Sequence, residues 1–160
     1  MIDQALLARG FHIVIPPLTA QSGAVRTQWN AAYKLLTDHG FSKKPVMEGT
    51  GTAAGEAYAW AIENPDKVAC IYGRNPALRS LMSKTSPLEN LGPLAKARVP
   101  LLHVCDQTDP WFNDQTKVVE QRYKELGGQI TIIVNGGDAG YPLAPNDRSR
   151  VVEFIAHPAH

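Results

Sequence analysis

Five apolar runs recur along the chain: FHIVI, PVMEG, KVACIYG, VPLLHVC and QITIIVN. They are continuous rather than alternating, the pattern of strands buried on both faces. Stretches with helical spacing separate them. Val25, Trp29, Ala32, Tyr33 and Leu36 share one face of AVRTQWNAAYKLLTDHG, which stops at Gly40. IDQALLARG reads as a short amphipathic helix closed by Gly10, and residues 51–63 as a helix stopped by Asn64-Pro65. NDQTKVVEQRYKELGG reads as a helix opened by an Asn113/Asp114 cap and closed on Gly127-Gly128. DRSRVVEFIAH reads as the last helix, capped by Asp147. This alternation predicts an α/β three-layer sandwich with a mostly parallel five-stranded sheet. No repeat, low-complexity tract or linker interrupts it, so residues 1–160 are read as a single domain.

Charge and composition narrow the function classes. Sixteen basic residues nearly balance fifteen acidic ones, leaving +1, which gives no reason to expect nucleic acid or a membrane surface as a partner. No run approaches the roughly 18 apolar residues of a membrane span. The opening MIDQALLARG lacks a basic region followed by a long apolar stretch. The expectation is a soluble protein, cytoplasmic or secreted after removal of a signal not present here. Cys70 and Cys105 each lie in an apolar run and read as buried thiols. Metal-ligand spacing is absent, and nothing in the sequence calls for a cofactor.

In an open parallel sheet, ligands sit at the carboxyl ends of the strands. The residues just after the runs are therefore the candidates. They are Pro16-Pro17, Gly49-Thr50-Gly51-Thr52, Gly73-Arg74-Asn75, Asp106-Gln107-Thr108-Asp109, and the stretch from Gly136 to Tyr141. Asp106, Asp109, Asp114 and Asp138 gather among these loops, but their spacing fits no cation-binding loop, and solvated carboxylates and helix caps are the stronger reading. Trp111, Phe112 and Tyr141 either wall a pocket or pack beneath the loops.

The order of these loops resembles the α/β-hydrolase superfamily, most closely its esterase- and peptidase-like branch. KKPVMEGTGTAAGEAYAWAIENPDKVACIYG is similar to that family's strand, nucleophile elbow and following helix. PLAKARVPLLHVCDQTDPWFNDQTKVVEQRYKELGGQITIIV is similar to its acid-bearing strand and the next helix and strand. NGGDAGYP stands where the family has its histidine loop. The resemblance implies a serine at the centre of a small-x-Ser-x-small turn, an aspartate after the next strand but one, and a histidine after the last. It assigns these positions to Gly51, Asp109 and Gly140. Only the acid is present. Of the five histidines, His12 and His103 lie within strand-like runs, His39 ends a helix, and His157 and His160 are in the tail.

Loss of a catalytic serine alone costs about 10⁶-fold in a well-studied protease, and loss of the histidine then adds little. The expected function is therefore a catalytically degenerate hydrolase homologue that binds a small-molecule ligand through Thr50, Gly51, Thr52, Trp111 and Tyr141. Thr52 would still offer its backbone N–H as an oxyanion donor. The alternative is a divergent esterase-like hydrolase that uses Thr50, Thr52 or residues of a partner chain. The family's sheet also has strands ahead of the helix matched by IDQALLARG, one of them between the counterparts of FHIVI and PVMEG. FHIVI is then expected to pair directly with PVMEG, or a homodimer or second chain to complete the sheet, or the sequence to be a fragment.

Overall fold

The computed structural model describes residues 1–15, 22–79, 86–136 and 143–158. Its elements are α1 (Ile2–Leu7), α2 (Ser22–Asp38), β1 (Val46–Thr50), α3 (Thr52–Glu63), β2 (Cys70–Arg74), α4 (Gly92–Lys96), β3 (Leu101–Asp106), α5 (Lys117–Glu125), β4 (Ile130–Asn135) and α6 (Pro145–Ala156). The strands pair in the order β1-β2-β3-β4, all parallel. Thr50 stands beside Arg74, and Asp106 beside Asn135, so the carboxyl ends share one edge of the sheet.

Side-chain alternation along the strands divides the core into two layers. Ile71 and Leu101 join Met47 against Tyr58 and Trp60 of α3, Leu94 of α4 and Tyr123 of α5, with Trp29 and Tyr33 of α2 packed alongside. Tyr72, Leu102 and Val104 point the other way. They meet Ile2 and Leu6 of α1 and Val151, Val152 and Ile155 of α6. The predicted glycine stops are present. Gly10 and Gly40 both take φ +83°, which lets Phe11 N–H donate to Leu6 O at 3.1 Å and Phe41 N–H to Leu36 O at 3.0 Å.

One expected strand is missing. Residues 11–15 form no regular element and pair with no strand, so among the described residues the sheet has four strands rather than five. β-branched composition favours an extended backbone, but a strand also needs a neighbour within hydrogen-bonding distance. Here a groove separates the segment from β1. Two expected caps also differ. Asn113 and Asp114 lie inside a π-helical turn, Phe112–Thr116, that leads into α5. Asp147 lies in the first turn of α6, where Ala144 is the cap residue and Pro145 opens the helix. Both cysteines are free and buried, and burial pushes Cys70 up to about 12 and Cys105 to about 11, so both stay protonated.

Candidate functional site

β1 passes into α3 through a single residue. Gly51 takes φ 56° and ψ −125°, a backbone conformation that L side chains adopt only under strain. Three hydrogen bonds hold it. Gly51 N–H donates to Arg74 O at 3.0 Å, while Gly51 O accepts from Ala54 N–H at 3.2 Å and Ala77 N–H at 3.0 Å. The turn is closed by contact as well. A Cβ on Gly49 would lie 2.5 Å from the Ala54 backbone, and one on Gly55 would lie 2.7 Å from Ala77 O. A Cβ on Gly51 would meet nothing within 4 Å. The small residues thus bring the helix onto the strand, and the central position projects into open space.

What this turn offers is backbone. Thr52 is the first helical residue, and the opening N–H groups of a helix have no intrahelical acceptor. α3 is 12 residues long and points its positive end here. Thr50 and Thr52 are exposed on either side of Gly51, and among the described residues their hydroxyls bond to nothing.

The turn after β3 carries the acid. Asp109 N–H donates to Asp106 O at 3.0 Å, and Asp109 Oδ1 accepts from Trp111 N–H at 3.1 Å. Its second carboxylate oxygen, Oδ2, is shielded from water and has no partner among the described residues. Burial pushes the Asp109 carboxyl up, the Trp111 N–H opposes this, and Asp106 adds to it. Asn75, at φ 42°, ties this turn to the end of β2. Its Nδ2 donates to Asp106 Oδ2 at 2.7 Å, and its Oδ1 accepts from Asp106 N–H at 2.8 Å. Gln115 makes a second tie. Its Oε1 accepts from the backbone N–H groups of Leu78 and Arg79, at 2.5 and 2.7 Å, next to the Ala77 that holds Gly51.

Gly51 and Asp109 therefore follow parallel strands with only β2 between them, roughly 10 Å apart in strand spacings. Thr50, Gly51, Thr52, Asp109 and Trp111 belong to the same edge of the sheet. Gly140, Tyr141 and Asp138 lie outside the described residues. No described histidine stands on this edge. His12 meets Phe41 edge-to-face with ring centroids 4.9 Å apart, His39 bonds to Leu35 O, and His157 faces Glu153. His103 sits in β3 but is fully buried, its Nε2 2.7 Å from Tyr58 Oη and its Nδ1 without a partner. Burial lowers its pKa to about 3, so it is a neutral core residue. Sequence reasoning gave Asn75 and Gln115 no role. The only signal for Asn75 was its place just after a predicted strand, where asparagine tolerates the left-handed conformation.

No family model and no curated protein matches the sequence. Solved structures do match. A protein assigned as a dienelactone hydrolase from Klebsiella pneumoniae superimposes with a TM-score of 0.68 at 14% identity, covering 93% of this chain and 69% of its own. S-formylglutathione hydrolase from Staphylococcus aureus gives 0.64 at 14% identity, over 84% of this chain and 61% of its own. A carboxylesterase from Nitrososphaera gargenis gives 0.61 at 11% identity, over 96% and 83%. The chain has the α/β-hydrolase fold. It spans about 60 to 70% of the length of the first structures it matches.

Proposed function

We propose that this protein is a hydrolase-fold chain that has given up Ser-triad chemistry and binds a small carbonyl- or anion-bearing ligand at the amino end of α3. The observation that carries this reading is Gly51, which keeps a nucleophile-elbow backbone, pinned by three hydrogen bonds, and supplies no oxygen. Thr52 N–H and the helix dipole remain as donors to an oxyanion or carboxylate. Asp109 Oδ2 has no partner among the described residues, which supports a reading in which it has no imidazole to orient. The compounds in the structural neighbours' names, lactones, thioesters and carboxylic esters, suggest a small acyl compound as the ligand class.

The alternative, a divergent esterase, draws on the exposed, unpartnered hydroxyls of Thr50 and Thr52. A threonine hydroxyl needs a base, and no described residue near the turn supplies one. The test is p-nitrophenyl acetate turnover by the parent chain, Gly51→Ser, and Gly51→Ser combined with Gly140→His. The parent and the single variant should match buffer, and the double variant should recover a measurable rate. Parent turnover that Thr50→Val or Thr52→Val abolishes would replace this reading with the divergent enzyme.

A further inference from the structure

The described sheet has two outer strands, and their edges differ. β4 is the outer strand on the side away from β1. Leu101 N–H donates to Gln129 O at 2.9 Å and Gln107 N–H to Asn135 O at 3.1 Å, so the odd-numbered residues of β4 bond to β3. Strand backbone groups alternate sides, and the N–H and C=O groups of Ile130, Ile132 and Val134 therefore point outward. No described residue bonds to them. Their side chains stand on the face that packs toward α5, which leaves them open at the edge. Ile130 and Ile132 are half-buried, and Val134 is 45% exposed.

An open edge of this kind is a template for another strand, and folded proteins usually blunt it with lysine, proline, a bulge or a covering loop. Residues 129–136, QITIIVNG, contain no charge and no proline, and β4 pairs with β3 in unbroken register. The outer side of β1 is different. Gly51 N–H bonds to Arg74 O and Ala69 N–H to Pro45 O, so Val46, Glu48 and Thr50 point away from β2, with the exposed Glu48 in the middle. Two copies meeting antiparallel along β1 would set one Glu48 against the other, and like charges directly opposite are destabilising. Along β4 the same operation sets Ile132 against Ile132 and Ile130 against Val134. Every outward residue then faces a β-branched apolar partner, and each facing pair exchanges two hydrogen bonds. The flank of α6 beside Thr131 and Ile133 carries Arg150 and Glu153, one of each sign, so it does not repel its own copy.

We propose that β4 pairs with β4 of a second copy of this chain, antiparallel about a twofold axis through Ile132, so that two four-stranded sheets become one continuous sheet. A foreign strand would satisfy the same backbone groups, but this edge fits itself in both hydrogen bonding and side chains. A twofold contact also closes on itself and does not grow into a filament. A single strand edge is smaller than the roughly 800 Å² per partner of a standard interface, so the pair exchanges with monomer and is not permanent. The elbow at Gly51 follows β1, at the other side of the sheet. The partner adds no residue to it, and pairing is independent of any ligand held there.

The test uses the 160-residue chain in sedimentation velocity and amide hydrogen exchange. The chain should sediment as a monomer at about 5 µM and increasingly as a dimer toward about 500 µM, the range of a small interface. Exchange at Ile130, Ile132 and Val134 N–H should slow about 10-fold or more over that range, with Thr131 and Ile133 N–H slow throughout and Val46, Glu48 and Thr50 N–H unchanged. Ile132→Lys sets two ammonium groups on the axis and should raise the dimer dissociation constant about 10-fold or more, and Ile132→Glu should do the same with two carboxylates. Mixing these two variants should restore the dimer, because residue 132 of each copy faces residue 132 of the other. Val134→Lys changes an exposed position, so it reports even where the Ile132 variants fail to fold, and it too should weaken pairing. A monomer at about 500 µM would overturn the proposal. So would a dimer that leaves the three outward amides fast, a dimer that Val134→Lys leaves intact, or folded Ile132 variants that do not pair when mixed. Protection of the three amides in the dilute monomer would overturn it as well, since another part of the same chain would then cover the edge.

Discussion

The turn after β1 and the turn after β3 stand on the same edge of the sheet in opposite conditions. At the first, the backbone geometry is fixed and the central residue, Gly51, carries no side chain. Gly49 and Gly55 permit the close approach of α3, and Gly51 holds the strained angles with three hydrogen bonds. At the second, a carboxylate is present, and among the described residues no imidazole faces it. Asp109 keeps a shielded oxygen to which no described residue bonds. The difference separates two kinds of constraint. An elbow is built into helix–strand packing, so losing its side chain does not release it. A carboxylate is held only by what bonds to it, and at Asp109 one backbone N–H supplies that.

The largest expected effect tests whether a base is really missing. His103 is the one described histidine in a strand, three residues before Asp106. Its folded pKa, about 3, lies below the ordinary 6.5. Below pH 6.5 the unfolded chain therefore takes up a proton that the folded chain refuses. Its contribution to stability is full above pH 6.5 and is lost progressively toward pH 3, by up to about 5 kcal/mol. Urea unfolding between pH 7 and pH 4 should show this decline, and His103→Phe should flatten it. If His103 titrates near 6.5 by NMR, it is accessible, and the contrast between the two turns fails.

The next effect weighs packing against backbone strain within one turn. Gly49→Ala forces a Cβ to 2.5 Å from the Ala54 backbone, where no flexible side chain can give way. It should cost about 3 kcal/mol. Gly51→Ala meets no atom and pays only for its positive φ, about 1–2 kcal/mol. Thermal unfolding of the two variants should rank them in that order. The reverse order would mean that the elbow is held by its angles rather than by its neighbours.

Much of this arrangement was legible in the sequence. The elbow was legible through the resemblance of GTGTA to the family's small-x-Ser-x-small turn, and the close helix–strand packing at Gly49 agrees with it, whereas at Gly51 a side chain would meet no atom. Asp109 was legible only through the resemblance, which sets the acid a short way past VPLLHVC. FHIVI misled because propensity is local and pairing is not: the run is β-branched, but its residues line a groove and pair with no described strand. That groove was invisible in the sequence. Trp29, Tyr33 and Leu36 show the same helical stripe whether they cover a strand or a vacancy. Gly140 and Tyr141, expected opposite Asp109, lie outside the described residues.

A smaller effect concerns the link between the turns. Asn75→Ala removes both side-chain bonds to Asp106, one of them to a carboxylate, and puts alanine at φ 42°. About 2 kcal/mol should be lost. The turn after β3 should loosen while the elbow stays in place, since Gly51 is tied to Arg74 and Ala77 instead. Hydrogen exchange at Trp111 N–H, faster in the variant, with Gly51 N–H unchanged, would support this. Equal acceleration of both amides would show that the two turns are one unit.

The smallest expected effect falls on the acid itself. Burial and Asp106 favour its neutral form, and only the Trp111 N–H favours the charged one. Asp109→Asn keeps an acceptor at the Oδ1 position and removes a charge that no other group balances. A carboxylate with an imidazole or guanidinium on Oδ2 would lose a charged partner and become clearly less stable. One without such a partner should lose little or gain slightly, with a change of no more than about 1 kcal/mol, since the group is only half-buried. The pH dependence should move in a matching direction. A raised carboxyl pKa disfavours folding at high pH and relaxes as the proton goes on, so the variant should gain most above the parent's folded pKa and least below it. Chemical denaturation at pH 7 and pH 4 measures both. A loss well above 1 kcal/mol at pH 7 would mean that Asp109 already has a cationic partner, and the turn after β3 would then be as complete as the one after β1.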